Sequence, residues 1–186
     1  MRIIGGKFKG KSIQYLKNKS TRPLKDSVKE NIFNILNHSN EITVKIDKAN
    51  VLDLYSGIGS FGLECISRGA GKVTFIEQDA RALEILNYNL IKLSVVSKAR
   101  IINDKIQNVN NLSKEDKYSI FFLDPPFADK EFIQNLKIYK DKKVFNKNHL
   151  VIIHREKNSN DYFEDFLNVK IVRQYGRSKI IFATFS

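Results

Sequence analysis

Cysteine is nearly absent from this chain: Cys65 stands alone, which excludes an intrachain disulfide and a cysteine-built zinc cluster. The three histidines, His38, His149 and His154, lie far apart and without the spacing of metal ligands, so no metal is expected and each is assigned a structural or surface role. No apolar run approaches the roughly 18 residues of a membrane span, and a cytoplasmic address is the expectation. Prolines number three, Pro23, Pro125 and Pro126, and glycines nine. With so few of either, each cluster marks a turn or a close backbone approach. Acidic residues are missing from the first 25 positions. Those positions hold Arg2, Lys7, Lys9, Lys11, Lys17, Lys19, Arg22 and Lys25, or +8 of the formal +12, and a polyanionic partner follows from that concentration.

What is present reads as one folded domain over residues 1–186: 42% of residues are hydrophobic and 28% charged, the balance of a chain that buries a core. Residues 1–16 carry weak alternation around Gly5, Gly6 and Gly10, which predicts a small hairpin. Val28, Ile32, Ile35 and Leu36 repeat at helical spacing and predict a helix over 26–36, and the polar stretch 38–49 reads as a connector. Strand and helix then alternate about four times. Strands are predicted at 51–54, 73–76, 99–102, 118–123 and 150–153. Helices are predicted at 60–68, 79–92, weakly at 105–112, and near 129–139. Residues 169–175 and 179–185 read as a closing hairpin. This is the pattern of an open α/β sheet with helices on both faces. Cys65 falls on the second of these helices and reads as a small apolar core residue.

Two segments carry chemistry. The first is Asp53-Leu54-Tyr55-Ser56-Gly57-Ile58-Gly59-Ser60-Phe61-Gly62, at the carboxyl end of the first core strand. Its glycines let the backbone approach a nucleoside-containing ligand, and a side chain at Gly57 or Gly59 is expected to fill that space. Glu77, at the end of the next strand, is placed to accept from ribose hydroxyls, and Asp104, at the end of the third, from an adenine amino group. A nicotinamide dinucleotide or S-adenosylmethionine could use such a loop. Asp53 favours the second, because a carboxylate beside a pyrophosphate repels it.

The second segment is Asp124-Pro125-Pro126-Phe127. Two prolines stiffen the exit from the fourth strand and withhold two backbone donors, leaving carbonyls as acceptors. The loop suits a planar amino nitrogen, and Phe127 offers a stacking face for a base.

Together the two motifs resemble those of S-adenosylmethionine-dependent amino-methyltransferases. More narrowly, the chain resembles the RsmD family of bacterial 16S ribosomal RNA guanine-N2 methyltransferases. The likeness runs through Arg2-Ile3-Ile4-Gly5-Gly6, Arg22-Pro23, Asp26, Glu30 to Leu36, Asp53 to Glu64, Glu77, Asp104, Asp124 to Phe127 and Tyr175-Gly176. Leu24 stands where the family usually has Thr, and Lys29 where it often has Arg. The resemblance implies methylation of guanine 966, in the usual bacterial numbering, on naked RNA or within a 30S assembly particle. It also implies a Rossmann-like methyltransferase fold: a seven-stranded sheet in the order 3-2-1-4-5-7-6, strand 7 antiparallel, with residues 1–40 as a basic RNA-binding extension. The protein is expected to act as a monomer. Asp124, Pro125, Pro126 and Phe127 are the expected catalytic residues. Asp53, Tyr55, Gly57, Gly59, Glu77, Gln78 and Asp104 are expected around the cofactor, and Arg2, Lys7, Phe8, Lys9, Lys11 and Arg22 on RNA. Competing readings are a methyltransferase for another RNA, DNA or protein amino group, a nicotinamide-dependent oxidoreductase, and a non-catalytic ribosome-assembly protein.

Overall fold

The computed structural model describes residues 1–15, 24–108, 112–113, 115–163 and 165–186. Lys17, Lys19, Arg22 and Pro23 therefore lie outside the described residues. Seven strands form one sheet: β1 (Asn50–Leu54), β2 (Lys72–Glu77), β3 (Ala99–Asn103), β4 (Tyr118–Leu123), β5 (Phe145–Glu156), β6 (Leu167–Tyr175) and β7 (Ser178–Phe185). Their order is β3-β2-β1-β4-β5-β7-β6. Strands β1 to β5 pair in parallel and β7 runs antiparallel between β5 and β6. This is the Rossmann-like methyltransferase arrangement. Among the described residues the four α-helices are α1 (Asp26–His38), α2 (Ser60–Ser67), α3 (Ala80–Lys92) and α4 (Phe132–Asp141).

Successive strand residues face opposite sides of a sheet, and the core divides accordingly. Val51, Ile120, Phe122 and Ile152 pack with α1, α2 and α3, while Leu52, Phe121, Leu123 and Ile153 pack with Phe132, Leu136 and Tyr139 of α4. On the first side Phe33, Phe61 and Phe122 stack in a column, with centroids 5.3 and 3.9 Å apart. The same alternation sends Asp53 and His154 to the side of α1–α3, and Arg155 to the side of α4.

Several elements differ from the sequence reading. The weak helix over 105–112 is not formed in the described part, which shows only a turn at Ile106-Gln107. Asn108, Asn110 and Asn111 are weak helix formers, and Ile106 and Leu112 are each buried beside α4. Helix α4 starts at Phe132 rather than near 129, because the Asp129 carboxylate accepts from the N–H groups of Glu131 and Phe132 and turns the chain there. Strand β5 runs twelve residues rather than four. The 38–49 connector is less polar than it reads, with Ile42, Val44 and Ile46 buried. At the N-terminus, a single antiparallel bridge between Arg2 and Ser12 and a 3-10 turn over Gly6–Phe8 take the place of paired strands.

Candidate active site

The carboxyl ends of β1, β2 and β4 open onto two adjoining cavities. The larger, about 440 Å³, is walled by Asp53 and Gly57 of the glycine loop, Asp124 to Phe127, and His154 of β5. Residues Met1, Tyr15 and Lys25 close one side, and the β6–β7 turn with Tyr175 and Arg177 the other. The smaller, about 270 Å³, is lined by Asp104, Gln107 and Asn135. Tyr55, Glu77 and Gln78 face both cavities. The two motifs, 62 positions apart at their closest in sequence, thus meet in one cleft because β1 and β4 are neighbours.

Within the glycine loop two backbone donors are already occupied by carboxylates. Gly57 N–H donates to Glu77 Oε2 at 2.7 Å, and Gly62 N–H to Asp53 Oδ2 at 2.9 Å. Glu77 Oε1 also accepts from the N–H groups of Gln78 and Asp79, at 2.9 and 2.8 Å. A pyrophosphate here would meet two carboxylates instead of those donors. A positively charged ligand would meet Asp53, Glu77 and Asp124. Asp53 is 1% exposed. Burial pushes its carboxyl well above the usual carboxylate range; the Gly62 N–H opposes this, and the charges of Asp124 and Glu77 add to it.

The two loop glycines are not equivalent. Gly57 has φ of +51° and a Cβ there would touch nothing, so it borders open space on the cleft. Gly59, with φ of +82°, would place a Cβ 2.4 Å from Leu86 Cδ1 and 3.2 Å from Phe75 Cε1. Its side-chain space is the protein core, which corrects the expectation that a side chain at Gly59 would fill ligand space. A Cβ at Gly57 would stand in the cleft instead, and this open space with the carboxylates beside it fits a cationic, phosphate-free nucleoside such as S-adenosylmethionine. Tyr55 forms the partition between the cavities and donates its hydroxyl to Asp129 Oδ2 at 2.8 Å. Burial, first of all, raises the pKa of that hydroxyl. Asp104 Oδ1 accepts from Lys105 N–H and Asn108 Nδ2 at the floor of the smaller cavity.

The Asp-Pro-Pro-Phe loop is held from both faces of the sheet by two consecutive residues that the sequence did not single out for the site. His154, read as structural or surface, places Nδ1 2.7 Å from Asp124 Oδ1 and Nε2 2.9 Å from Ser178 Oγ. Its ring also meets the Phe127 ring edge-on, with centroids 5.9 Å apart. On the opposite face Arg155, 2% exposed, donates to the carbonyls of Pro126, Phe127 and Asp129 at 3.2, 3.2 and 3.3 Å. Its Nε and Nη2 engage Asp161, and its guanidinium lies 4.4 Å from the Phe132 ring centroid. The Pro125 carbonyl is left without a hydrogen-bond partner among the described residues, so it stays an available acceptor beside Asp124.

Arg2, Lys7, Phe8, Lys9 and Lys11 do not line the cleft. Phe8 is buried against α2 and its N–H donates to Ser67 Oγ, which makes it an anchor. Lys7, Lys9 and Lys11 are exposed, and the ammonium groups of Lys7 and Lys11 sit 5.7 and 5.2 Å from the Phe8 ring centroid. Arg2 pairs with Asp26 at 3.5 Å. Another buried residue missed in the sequence, Asn89 on α3, accepts from Gln14 N–H and donates to the carbonyls of Gln14 and Ile58, tying the N-terminal segment to the glycine loop. Cys65 is buried in the core, and His149 is structural, its Nε2 accepting from Phe185 N–H. Among the described residues no group of acidic, histidine or cysteine side chains could hold a metal, and no helix is long and apolar enough to cross a membrane.

Residues 1–184 match the family model described as conserved hypothetical protein 95. The chain is 35% identical over 160 residues to the ribosomal RNA small subunit methyltransferase D of Buchnera aphidicola subsp. Baizongia pistaciae, covering 86% of this chain and 78% of that protein. It is 32% identical over 159 residues to the protein of the same name from Haemophilus influenzae, covering 84% and 79%. The solved structure of yhhF from Escherichia coli superposes with a TM-score of 0.82 at 26% identity, over 98% of this chain and 96% of that one.

Proposed function

The chain belongs to the conserved hypothetical protein 95 family, that of the ribosomal RNA small subunit methyltransferase D proteins, and from that premise we infer that it transfers a methyl group from S-adenosylmethionine to the exocyclic N2 of a guanine in 16S ribosomal RNA. The observation that carries this reading is the meeting, in one cleft, of a carboxylate-lined glycine loop with an amino-accepting Asp-Pro-Pro-Phe loop.

S-adenosylmethionine supplies an electrophilic methyl group on a sulfonium. Gly57, Asp53 and Glu77 would hold it, with Tyr55 and Gln78 at the partition and Asp104 toward the adenine. A guanine amino group is a weak nucleophile because its lone pair is delocalised into the ring. Asp124 and the Pro125 carbonyl each accept one amino hydrogen, which localises the lone pair toward the methyl and stabilises the positive charge that develops on nitrogen. One proton then leaves the alkylated nitrogen for Asp124. Phe127 stacks on the base and sets its distance. The base must leave any helix or stack to enter, so an exposed or loosely paired guanine is the substrate. Residues 1–40 serve as the basic extension that meets the RNA.

The test is transfer of labelled methyl to 16S ribosomal RNA, or to 30S particles, from cells lacking the gene, followed by mapping of the modified base. Asp124→Ala is expected to keep its affinity for S-adenosylmethionine and to lose about 10²–10³ in single-turnover rate. A near-normal rate at saturating cofactor and RNA would move the acceptor elsewhere.

A further inference from the structure

We propose that His154 is a positioning residue for methyl transfer, holding the Asp124 carboxylate by a hydrogen bond from Nδ1 while Ser178 fixes the ring from the other side. This rests on the reading of Asp124 as the acceptor of the amino group.

The geometry carries it. Asp124 follows the last residue of β4 and has a flexible side chain, yet its role demands that one oxygen face an amino hydrogen at hydrogen-bond distance. His154 lies one strand away on β5, on the same face of the sheet, with its side chain 10% exposed. An ionised carboxylate only accepts, so at 2.7 Å the imidazole Nδ1 donates to Oδ1. In the neutral ring that tautomer leaves Nε2 as an acceptor, and the Ser178 hydroxyl at 2.9 Å is placed to donate to it. Ser178 is the first residue of β7, where it pairs with Glu156 of β5. The imidazole is therefore fixed by a strand neighbour on one side and by the loop on the other. Oδ2 of Asp124 has no protein partner among the described residues and remains for the substrate. The imidazole also meets the edge of Phe127, so one ring supports both the acceptor and the stacking face. Arg155, the next residue along β5, fixes the loop backbone but reaches no side-chain atom of Asp124. Without His154 the carboxylate is free to rotate away from the base.

A serine, a histidine and an aspartate in hydrogen-bonded series also suggest nucleophilic catalysis. Here the carboxylate is the member placed at the amino-accepting loop, which makes positioning of Asp124 the function of the series.

Two measurements test the proposal. The first uses the protein without cofactor or RNA. In ¹⁵N spectra, with the His154 signals identified by their loss in His154→Leu, Nδ1 is expected to carry a proton, and that proton's shift is expected to change in Asp124→Ala. A bare Nδ1 overturns the proposal. The second is kinetic. His154→Leu is expected to lower the single-turnover rate roughly ten- to a hundredfold with little change in affinity for S-adenosylmethionine or in the RNA concentration at half-saturation. His154→Asn, whose amide can donate from near the Nδ1 position, should recover most of the rate. In an Asp124→Ala background His154→Leu should cost nothing further, because the two act as one unit. If His154→Leu fails to fold, Ser178→Ala and His154→Asn carry the comparison, with a severalfold loss expected for the first and near-normal rate for the second. Equal losses in the presence and absence of Asp124, or no rescue by Asn, would show that His154 only packs the site. A wild-type protein that methylates no RNA overturns the underlying reading and the proposal with it, whereas an active wild type with an unimpaired His154→Leu overturns the proposal alone.

Discussion

Gly57 and Gly59 sit two residues apart, both at positive φ, yet substitution should separate them. Alanine at Gly57 meets no atom and costs about 1–2 kcal/mol for the left-handed backbone alone, so Gly57→Ala should fold with a modest fall in melting temperature. Its methyl group stands in the cleft, and calorimetric titration should show weakened binding of S-adenosylmethionine. Valine at Gly59 pays the same backbone cost and in addition drives into Leu86 and Phe75, where overpacking costs a further 1–3 kcal/mol or about that. Gly59→Val should therefore show its largest defect in stability. A second residue-scale expectation concerns Asp53. In the unfolded chain it titrates near 4; in the fold, burial keeps it protonated to higher pH. Between those values the folded state binds the extra proton, so this residue's contribution falls as pH rises. Asp53→Asn retains a carbonyl for the Gly62 N–H and should unfold at higher urea than the wild type at pH 8, with the gap closing toward pH 4. A gap that does not vary with pH would assign the gain to something other than ionisation.

Among the elements, β5 does most to set the catalytic loop, and it shows what the sequence could and could not disclose. Leu150 to Ile153 announces a buried strand by its apolar, β-branched run. The run ends at His154-Arg155-Glu156, which reads as the polar end of a strand because nothing local shows that Asp124 and Pro126 lie one strand over, some 30 positions back. Spatial neighbours in a parallel sheet are brought together by crossover topology, and a linear reading has no access to it. The glycine loop and the Asp-Pro-Pro-Phe loop were legible because each is a contiguous run at a strand end. Asn89 was hidden for the same reason as His154: it looked like any polar residue on a helix. Arg155 gives this a measurable form. It satisfies three carbonyls and the Asp161 carboxylate, whose side chain is 8% exposed. Removing one partner of a buried pair typically costs about 3–5 kcal/mol, so Arg155→Met should lower the urea midpoint by a corresponding amount. Arg155→Lys should recover little, since one ammonium cannot span the same fork of acceptors. Adding Asp161→Leu to Arg155→Met removes the stranded carboxylate and should restore part of the stability without restoring the methyl-transfer rate. Recovery of both together would mean that Arg155 does not act on the loop.

At the scale of the whole molecule the N-terminal segment joins the cleft to a distant basic tip. It leaves the cleft at Met1, runs along α2, and returns at Tyr15. Ile4 N–H donates to the buried Glu64, and Gly6 lies so close to the Ser67 carbonyl that a Cβ would sit 2.0 Å from it. Lys29, wholly buried, donates to the Arg2 carbonyl from α1 and stands 4.0 Å from Glu64. Lys7 and Lys9 are thereby fixed near the end of α2 away from the glycine loop, about 12 Å from it at 1.5 Å per residue over eight residues. At that distance they cannot touch the target base, and their contribution must come through phosphates elsewhere on the RNA. Each phosphate they neutralise releases counterions and adds about 0.7 to 0.9 to the slope of log affinity against log salt. Lys7→Gln, Lys9→Gln and Lys11→Gln combined should reduce that slope by about 2 to 3 and weaken RNA binding most at low salt. The single-turnover rate at saturating RNA should stay near normal, because the cleft is untouched. Phe8→Ala should reduce the slope as well, by releasing the tip from α2, at an additional cost in stability that the lysine variant does not show. An unchanged slope in the triple variant would leave those lysines as solvated surface and assign the RNA contacts to the cleft rim around Lys25 and Arg177.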